Sequence, residues 1–328
     1  MVSAKAIAQA QRRIETHIVK TPVFRDDRLD ALLGFRLTLK GEHLQHVGAF
    51  KARGAANMVL AQSAAALAAG VCTHSSGNHG AALAYIARAN AIPAYIVVPA
   101  DCSASKRQLI QDLGGQIIDC QAGLPAREAM LESVKQRTGA LFVPPYDAPA
   151  VIAGQGTTLA EFRSQTDFLD AVVVPVGGGG LLAGCCLIKE DSRVYGAEPA
   201  GADDAYRSLL SGSRVCSHQP QTICDGLRTT LGALNFDIIN KEVDGIFLVS
   251  EERIVFSMQL IWQTTKQWVE PSAAVPVAAL LCHRSKFIGQ HVGVILTGGN
   301  VDLDSIHDKL LDADSYARQV EYFTSNNS

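Results

Sequence analysis

At 328 residues the chain exceeds what one hydrophobic core usually serves, so two lobes are expected. Apolar residues make up 48% and aromatics only 6%, with 28 glycines, the balance of an Ala/Val/Leu-rich α/β protein with many tight turns. A formal charge of −3 and a pI near 6.3, with no basic stripe anywhere, exclude a broad nucleic-acid or acidic-membrane surface.

The opening segment, MVSAKAIAQAQRRIETHIVKTP, lacks the apolar stretch of a signal peptide and reads as an amphipathic helix ended by Pro22. Next comes GAFKARGA, residues 48–55, a lysine among small residues ahead of a helix-forming run. Burial there lowers an amine's pKa and makes it nucleophilic toward a carbonyl. The same string also reads as a solvated lysine near a helix start, and its neighbourhood alone does not choose. The apolar run GVCTH then precedes SSGNHG and the helical AALAYIARA, with AYIVVP (94–99) and QIIDC (116–120) as further short strands. Free amides at such a turn bind anions, while simple N-capping by serine competes as an explanation.

The uncharged stretch Ala171 to Ile188 is nearly long enough to span a bilayer, but it holds Pro175 and four consecutive glycines. Strand, loop and helix describe it better. Gly177 to Gly180 leave amides open to a phosphate, and no G-x-x-x-x-G-K-[ST] marks a nucleotide-triphosphate loop. Gly178, Gly180 and Ala183 also satisfy G-x-G-x-x-A, with Glu198 at the spacing of a ribose-binding acid after the strand Arg193–Ala197. Dinucleotide binding fits locally, yet it leaves two other glycine turns unexplained. The loop EPAGADD, 198–204, holds hard oxygen ligands of the kind Mg²⁺ or Ca²⁺ prefers, or is an acidic solvated turn.

The eight cysteines, Cys72, Cys102, Cys120, Cys185, Cys186, Cys216, Cys224 and Cys282, form no C-x-x-C pair and read as reduced and mostly buried. Cys216, His218 and Cys224 match no standard zinc spacing. A helix over Glu251–Val269 offers an apolar stripe for a dimer face or for core. VGVILT leads into TGGN, where Thr297 presents a hydroxyl to a ring nitrogen or caps the turn. The tail from about Ala317 reads as frayed. Apolar run, glycine turn and helix thus recur three times. That grammar implies a doubly wound, mostly parallel sheet whose glycine turns face one cleft beyond the strands' carboxyl ends.

Taken in order, GAFKARGA, THSSGNHG, VIAGQGT (151–157), VPVGGGGLLAG, AEPAGADD, DGL (225–227), VEPSAAVPVAA (269–279) and LTGGNVDL resemble the fold type II pyridoxal-phosphate enzymes, in their serine racemase and serine/threonine dehydratase branch. The strings run from about residue 20 to 304. The resemblance implies a two-lobed, tryptophan synthase β-like fold, with residues 71–147 as a small domain inserted in a large cofactor-binding domain of 1–70 and 148–328. It implies a Schiff base on Lys51, with Phe50 beside the cofactor, Asn78 on its phenolic oxygen, Gly177, Gly178, Gly179 and Gly180 on its phosphate and Thr297 at its ring nitrogen. Ser76 would stand on the face opposite Lys51. Ser75, Ser76, Gly77 and His79 would take the substrate carboxylate, with Arg127 and Tyr146 also lining the substrate. Glu198, the carbonyl of Ala202 and Asp204 match the branch's divalent-cation site.

The activity so implied is dehydration and deamination of a small β-hydroxy amino acid such as serine, threonine or 3-hydroxyaspartate, with racemisation as the alternative. Tyr146, within Pro144-Pro145-Tyr146-Asp147, stands where racemase-like relatives often carry a smaller amide residue, which favours dehydration. A cytoplasmic homodimer without nucleic-acid or membrane partners is the matching expectation.

Overall fold

The computed structural model describes residues 2–325 except 76, 101, 103 and 311, and leaves the side chains of 303–305 undescribed. Among the described residues ten strands form two sheets. The larger has the order β1 (Val23–Phe24), β2 (Arg36–Lys40), β10 (His291–Ile295), β7 (Ala171–Pro175), β8 (Arg193–Pro199) and β9 (Gly245–Val249). Only the β1–β2 pair is antiparallel. The smaller, wholly parallel sheet has the order β5 (Gln116–Cys120), β4 (Ala94–Pro99), β3 (Val71–Thr73) and β6 (Leu141–Phe142).

Parallel sheets need cover on both faces, and alternate residues of one strand supply it. Ala171 and Val173 join one apolar cluster, while Val172 and Val174 join another on the opposite face. That two-sided burial is why 171–176 is an unbroken apolar run in the sequence. The smaller sheet repeats the arrangement, with Ile96 and Val98 on one side and Val97 on the other. The carboxyl ends of β3, β7 and β10 lead into the glycine-bearing segments at 74–80, 176–180 and 296–299.

Close helix approach brings these ends together. A Cβ on Gly154 would lie 2.6 Å from the Arg53 carbonyl and 2.7 Å from the Gly54 Cα, so the helices Lys51–Leu60 and Pro149–Arg163 touch backbone to backbone. A buried ionic cluster clamps the same pair. Arg53 places two nitrogens on Glu42, each at 2.7 Å, and one on Glu161 at 2.9 Å. Lys40 also donates to Glu161 and to the Thr21 carbonyl. Lys40, Glu42 and Arg53 are almost wholly inaccessible. Removing one member of such a set strands the others without water, at about 3–5 kcal/mol.

Three boundaries differ from the sequence reading. The first helix stops at Ile14 and passes into a short 3₁₀ turn, Glu15–His17, well before Pro22. The helix expected over Glu251–Val269 stops at Thr265, because Lys266 turns left-handed at φ +60°. The tail is helical over Ala313–Ser325 rather than frayed. Phe323 anchors it, 3% exposed and stacked on Phe256 at 5.8 Å.

Gly154→Ala is expected to cost about 1–3 kcal/mol, since the atoms it meets are backbone and cannot yield. Urea unfolding of the variant measures this; an unchanged midpoint would mean the two helices have slack.

Candidate functional site

Lys51 is the first residue of the helix Lys51–Leu60, and Phe50 before it donates its amide to the Thr297 carbonyl at 3.0 Å. Gly299 donates in turn to the Gly48 carbonyl. The lysine-bearing segment is therefore laced to the third glycine turn. The Lys51 ammonium donates to the carbonyl of Pro145 at 2.7 Å and stands 5.1 Å from the Phe50 ring centre and 6.0 Å from that of Tyr146. Burial drives its pKa down to about 8, against the opposing pull of Glu270. Roughly a tenth of such an amine is uncharged at pH 7, against on the order of one in three thousand for an ordinary lysine.

The first glycine turn reaches the same place from the smaller sheet. Asn78 opens the helix Asn78–Ala89, and its side-chain amide donates to both oxygens of Glu270 at 3.1 Å. Its own carbonyl oxygen accepts from Asn300 at 2.9 Å. His79 faces the Val143 carbonyl through Nε2 at 3.0 Å. A carbonyl only accepts, so Nε2 carries the proton. Burial and Lys51 push this imidazole to about 3, which keeps it neutral. Ser75 and Gly77 flank it, partly exposed, and Ser76 lies outside the described residues. Thr297 is buried at the end of β10.

Only glycine fits the second turn. A Cβ on Gly178 would meet the Tyr146 ring at 2.2 Å, one on Gly177 the Gly226 carbonyl at 2.9 Å, and one on Gly179 the Leu231 side chain at 2.6 Å. Gly180 packs on the Tyr146 backbone. Tyr146 is thus seated on the turn, its phenol pushed upward by burial and by Asp147. The turn is fixed from behind, where Gly232 N–H and the Asn235 side chain both donate to the Gly178 carbonyl. Arg127 lies on the helix Leu124–Thr138. Its Nε is buried without a hydrogen-bond partner, and its charge is felt by both Tyr146 and His74. Among the described residues no carboxylate pairs with it.

The cluster of Glu198, Ala202 and Asp204 lies apart from Lys51, behind the second turn. Both Glu198 oxygens accept helix amides, from Ala205 at 3.1 Å and Tyr206 at 2.8 Å. That arrangement removes the dinucleotide reading, because the carboxylate is wholly buried and faces no open cleft in which a ribose could lie. Asp204 accepts from Leu231 N–H at 2.8 Å through Oδ2, while its Oδ1 has no hydrogen-bond partner. Ala202 is fully buried. Burial holds both carboxyls above their usual range, and Asp204 raises Glu198 further. The orphaned Asp204 oxygen and the surplus of buried carboxylate fit a cation.

Glu270 and Asn300 were given no role from sequence. Glu270 precedes Pro271 at a helix start, which reads as an exposed cap; here it is 3% exposed. Burial and Asp225 lift its carboxyl to about 8. Gly298 exists to admit it, since a Cβ there would lie 2.6 Å from a Glu270 oxygen. Lys106, from the smaller sheet's surroundings, also pairs with Asp225.

A chain with this site can be compared with known proteins. The profile of the family described as pyridoxal-phosphate dependent enzyme matches residues 14–298. A serine racemase of Dictyostelium discoideum is 43% identical over 93% of this chain and 97% of that protein. A beta-hydroxyaspartate dehydratase of Paracoccus denitrificans (strain Pd 1222) is 44% identical over 90% of this chain and 96% of that one. Among solved structures, maize serine racemase superposes with a TM-score of 0.91 at 36% identity, covering 98% of both chains.

The raised Glu270 carboxyl gives a pH signature. Its folded pKa, about 8, lies above the ordinary 4.5, so its contribution to stability is present below about 4.5 and is lost as pH rises through 8. Glu270→Gln lacks the titration. Its melting temperature is expected to gain on the wild type as pH goes from 5 to 8; parallel curves would contradict a neutral buried acid.

Proposed function

The chain belongs to the pyridoxal-phosphate-dependent enzyme family, and on that premise we propose that it removes water from a small β-hydroxy amino acid, giving a keto acid and ammonia. The observation that carries this is Lys51, a desolvated amine on the Pro145 carbonyl, flanked by the glycine turn at 177–180 and by Asn78. The residues fit the cofactor: an amine for its aldehyde, open amides for its phosphate and an amide side chain for its phenolic oxygen. When bound, pyridoxal phosphate supplies the electron sink for the α-carbon's electron pair.

In this reading Lys51 takes the α-proton as general base. The amides of Ser75, Ser76, Gly77 and His79 would receive the substrate carboxylate. Gly177 to Gly180 would hold the phosphate, Phe50 would pack beside the ring and Asn78 would reach its phenolic oxygen. Thr297 would meet the ring nitrogen with a hydroxyl too weakly acidic to protonate it, which would favour expulsion of the β-hydroxyl. Ser76 would be the proton donor for the opposite face. The unpaired Arg127 Nε suits a second carboxylate, so 3-hydroxyaspartate leads serine and threonine as substrate, in keeping with the name of the Paracoccus relative. Racemisation is the second reading, supported by the names of the Dictyostelium and maize proteins. Tyr146 occupies the cleft where a smaller side chain would favour it.

Glu198, the carbonyl of Ala202 and Asp204 would hold a divalent cation, Mg²⁺ or Ca²⁺ by their oxygen character, bracing the second turn through Leu231 and Gly232. The small domain of this reading is 71–147, around the smaller sheet. Trp262 and Trp268, packed edge to face at 5.9 Å and 44% and 37% exposed, are the contact of a proposed homodimer. The described cysteines form no disulfide, which suits the cytoplasm, and no described helix is long and apolar enough to cross a membrane.

Keto-acid and ammonia release over a panel of β-hydroxy amino acids tests the proposal. Lys51→Ala is expected to lower turnover by about 10³-fold or more. Arg127→Ala is expected to raise KM for 3-hydroxyaspartate by about tenfold or more while leaving serine almost untouched. Ser76→Ala should impair D-substrates more than L. Turnover that survives in Lys51→Ala sinks the proposal, and equal loss on both enantiomers removes Ser76 from the opposite face.

A further inference from the structure

His74 takes no part in the chemistry above, although it directly precedes the substrate loop 75–79. It follows the last residue of β3, at the carboxyl end where the cleft lies. Side chains alternate along a strand, so His74 shares a face with Cys72, which packs with Leu131 and Val134 of the helix Leu124–Thr138. The imidazole stacks on Phe142 of β6, with ring centres 6.0 Å apart and planes 20° from parallel. Its Nδ1 is buried and finds no hydrogen-bond partner outside its own backbone. Packing alone would be served by an apolar ring, which strands no nitrogen.

A second orphaned nitrogen belongs to the same neighbourhood. Arg127, near the start of the helix Leu124–Thr138, has a buried Nε without a partner. The two side chains feel one another: after burial, the Arg127 guanidinium is the next strongest influence holding the imidazole below its ordinary 6.5. Arg127 also acts on the Tyr146 phenol, and His74 on the His79 ring, so the four side chains form one wall of the cleft. Glu128, the acid that His74 feels, is exposed and leaves both nitrogens unpaired. Two buried nitrogens beside the substrate loop therefore lack an acceptor, which native interiors rarely tolerate unless something binds there.

We propose that His74 joins Arg127 in holding the second carboxylate of a dicarboxylic β-hydroxy amino acid, and so helps set a preference for 3-hydroxyaspartate over serine. This rests on the dehydratase reading above and adds a specificity residue to it. The imidazole acts as a hydrogen-bond donor and not as a second cation, because burial and Arg127 both disfavour its charge. Arg127 supplies the positive charge, while the stack on Phe142 fixes the plane in which the imidazole N–H points. A neutral imidazole offers one N–H, which an amide side chain can replace. A phenyl ring keeps the stack and loses the donor.

Turnover of 3-hydroxyaspartate and of serine by the holoenzyme is measured beside inhibition of serine turnover by L-aspartate and L-alanine, a dicarboxylic and a monocarboxylic amino acid without the β-hydroxyl. His74→Phe is expected to raise the ratio of KM for 3-hydroxyaspartate to KM for serine about tenfold or more, and the aspartate-to-alanine ratio of inhibition constants likewise. His74→Leu serves in its place if the phenylalanine variant does not fold. His74→Asn and His74→Gln each set an amide near one ring-nitrogen position, and one of them should restore most of both ratios. In an Arg127→Ala background the effect of His74→Phe should shrink to about threefold or less, as for two groups on one carboxylate. Unchanged ratios in His74→Phe, with Arg127→Ala still selective, overturn the role of His74 and leave the dehydratase reading standing. Equal weakening of all four compounds, restored by neither amide, makes the residue structural and overturns it as well. If the wild type releases no keto acid from either substrate, the dehydratase reading itself falls, and the role of His74 with it.

Discussion

A single amine resting on a backbone carbonyl sets the terms for the rest of the molecule. To carry the proposed chemistry, Lys51 would have to be dry enough to shed its proton and be held still. Its contact with Pro145 at 2.7 Å meets the second need without supplying a counter-charge that would undo the first. The strong ion pairs lie two residues on, at Arg53, which points into the cluster of Lys40, Glu42 and Glu161. That cluster fixes the helix start while keeping carboxylates off Lys51. The nearest acid, Glu270, is itself lifted to about 8 by burial, so at neutral pH it is largely uncharged. Amine and acid are kept from neutralising one another by a shared lack of water.

The glycine turns serve close approach more than flexibility. Gly178 admits Tyr146, Gly298 admits Glu270, and Gly154 admits a neighbouring helix. Each places a polar or aromatic group where a β-carbon would otherwise stand. The turn at 177–180 also joins the two clusters of the site. Asp204 holds Leu231, the adjacent Gly232 holds Gly178, and Gly178 meets Tyr146 facing Lys51. A charge change at the carboxylate pair thus has a short covalent and hydrogen-bonded route to the cleft.

Much of this was legible in the sequence, for identifiable reasons. Strands buried on both faces must be continuous apolar runs, so AYIVVP and AVVVPV declared themselves, while QIIDC is a partly exposed edge strand. The carboxyl ends of β3, β7 and β10 had to carry glycine if a ligand was to come close. The family, its cofactor and the parallel sheets followed from the order of those strings. Partners distant in the chain were not legible. Glu270 looks like an ordinary helix cap until Asn78, 192 positions away, is placed against it. His218 was grouped with cysteines because they are its neighbours in sequence, whereas its neighbour in space is Asp204. Helix ends failed where a side chain decided them from afar: Lys266 turned left-handed without being glycine, and Phe323 drew the last helix onto Phe256.

Everything rests on Lys51 being the residue that carries the cofactor. Borohydride reduction of pyridoxal-phosphate-saturated protein, followed by peptide mass mapping, examines that bond directly. One pyridoxyl adduct on the peptide containing Lys51, absent from Lys51→Ala, is the expected result. An unmodified Lys51 peptide, or an adduct on another lysine, would contradict the site and the chemistry built on it.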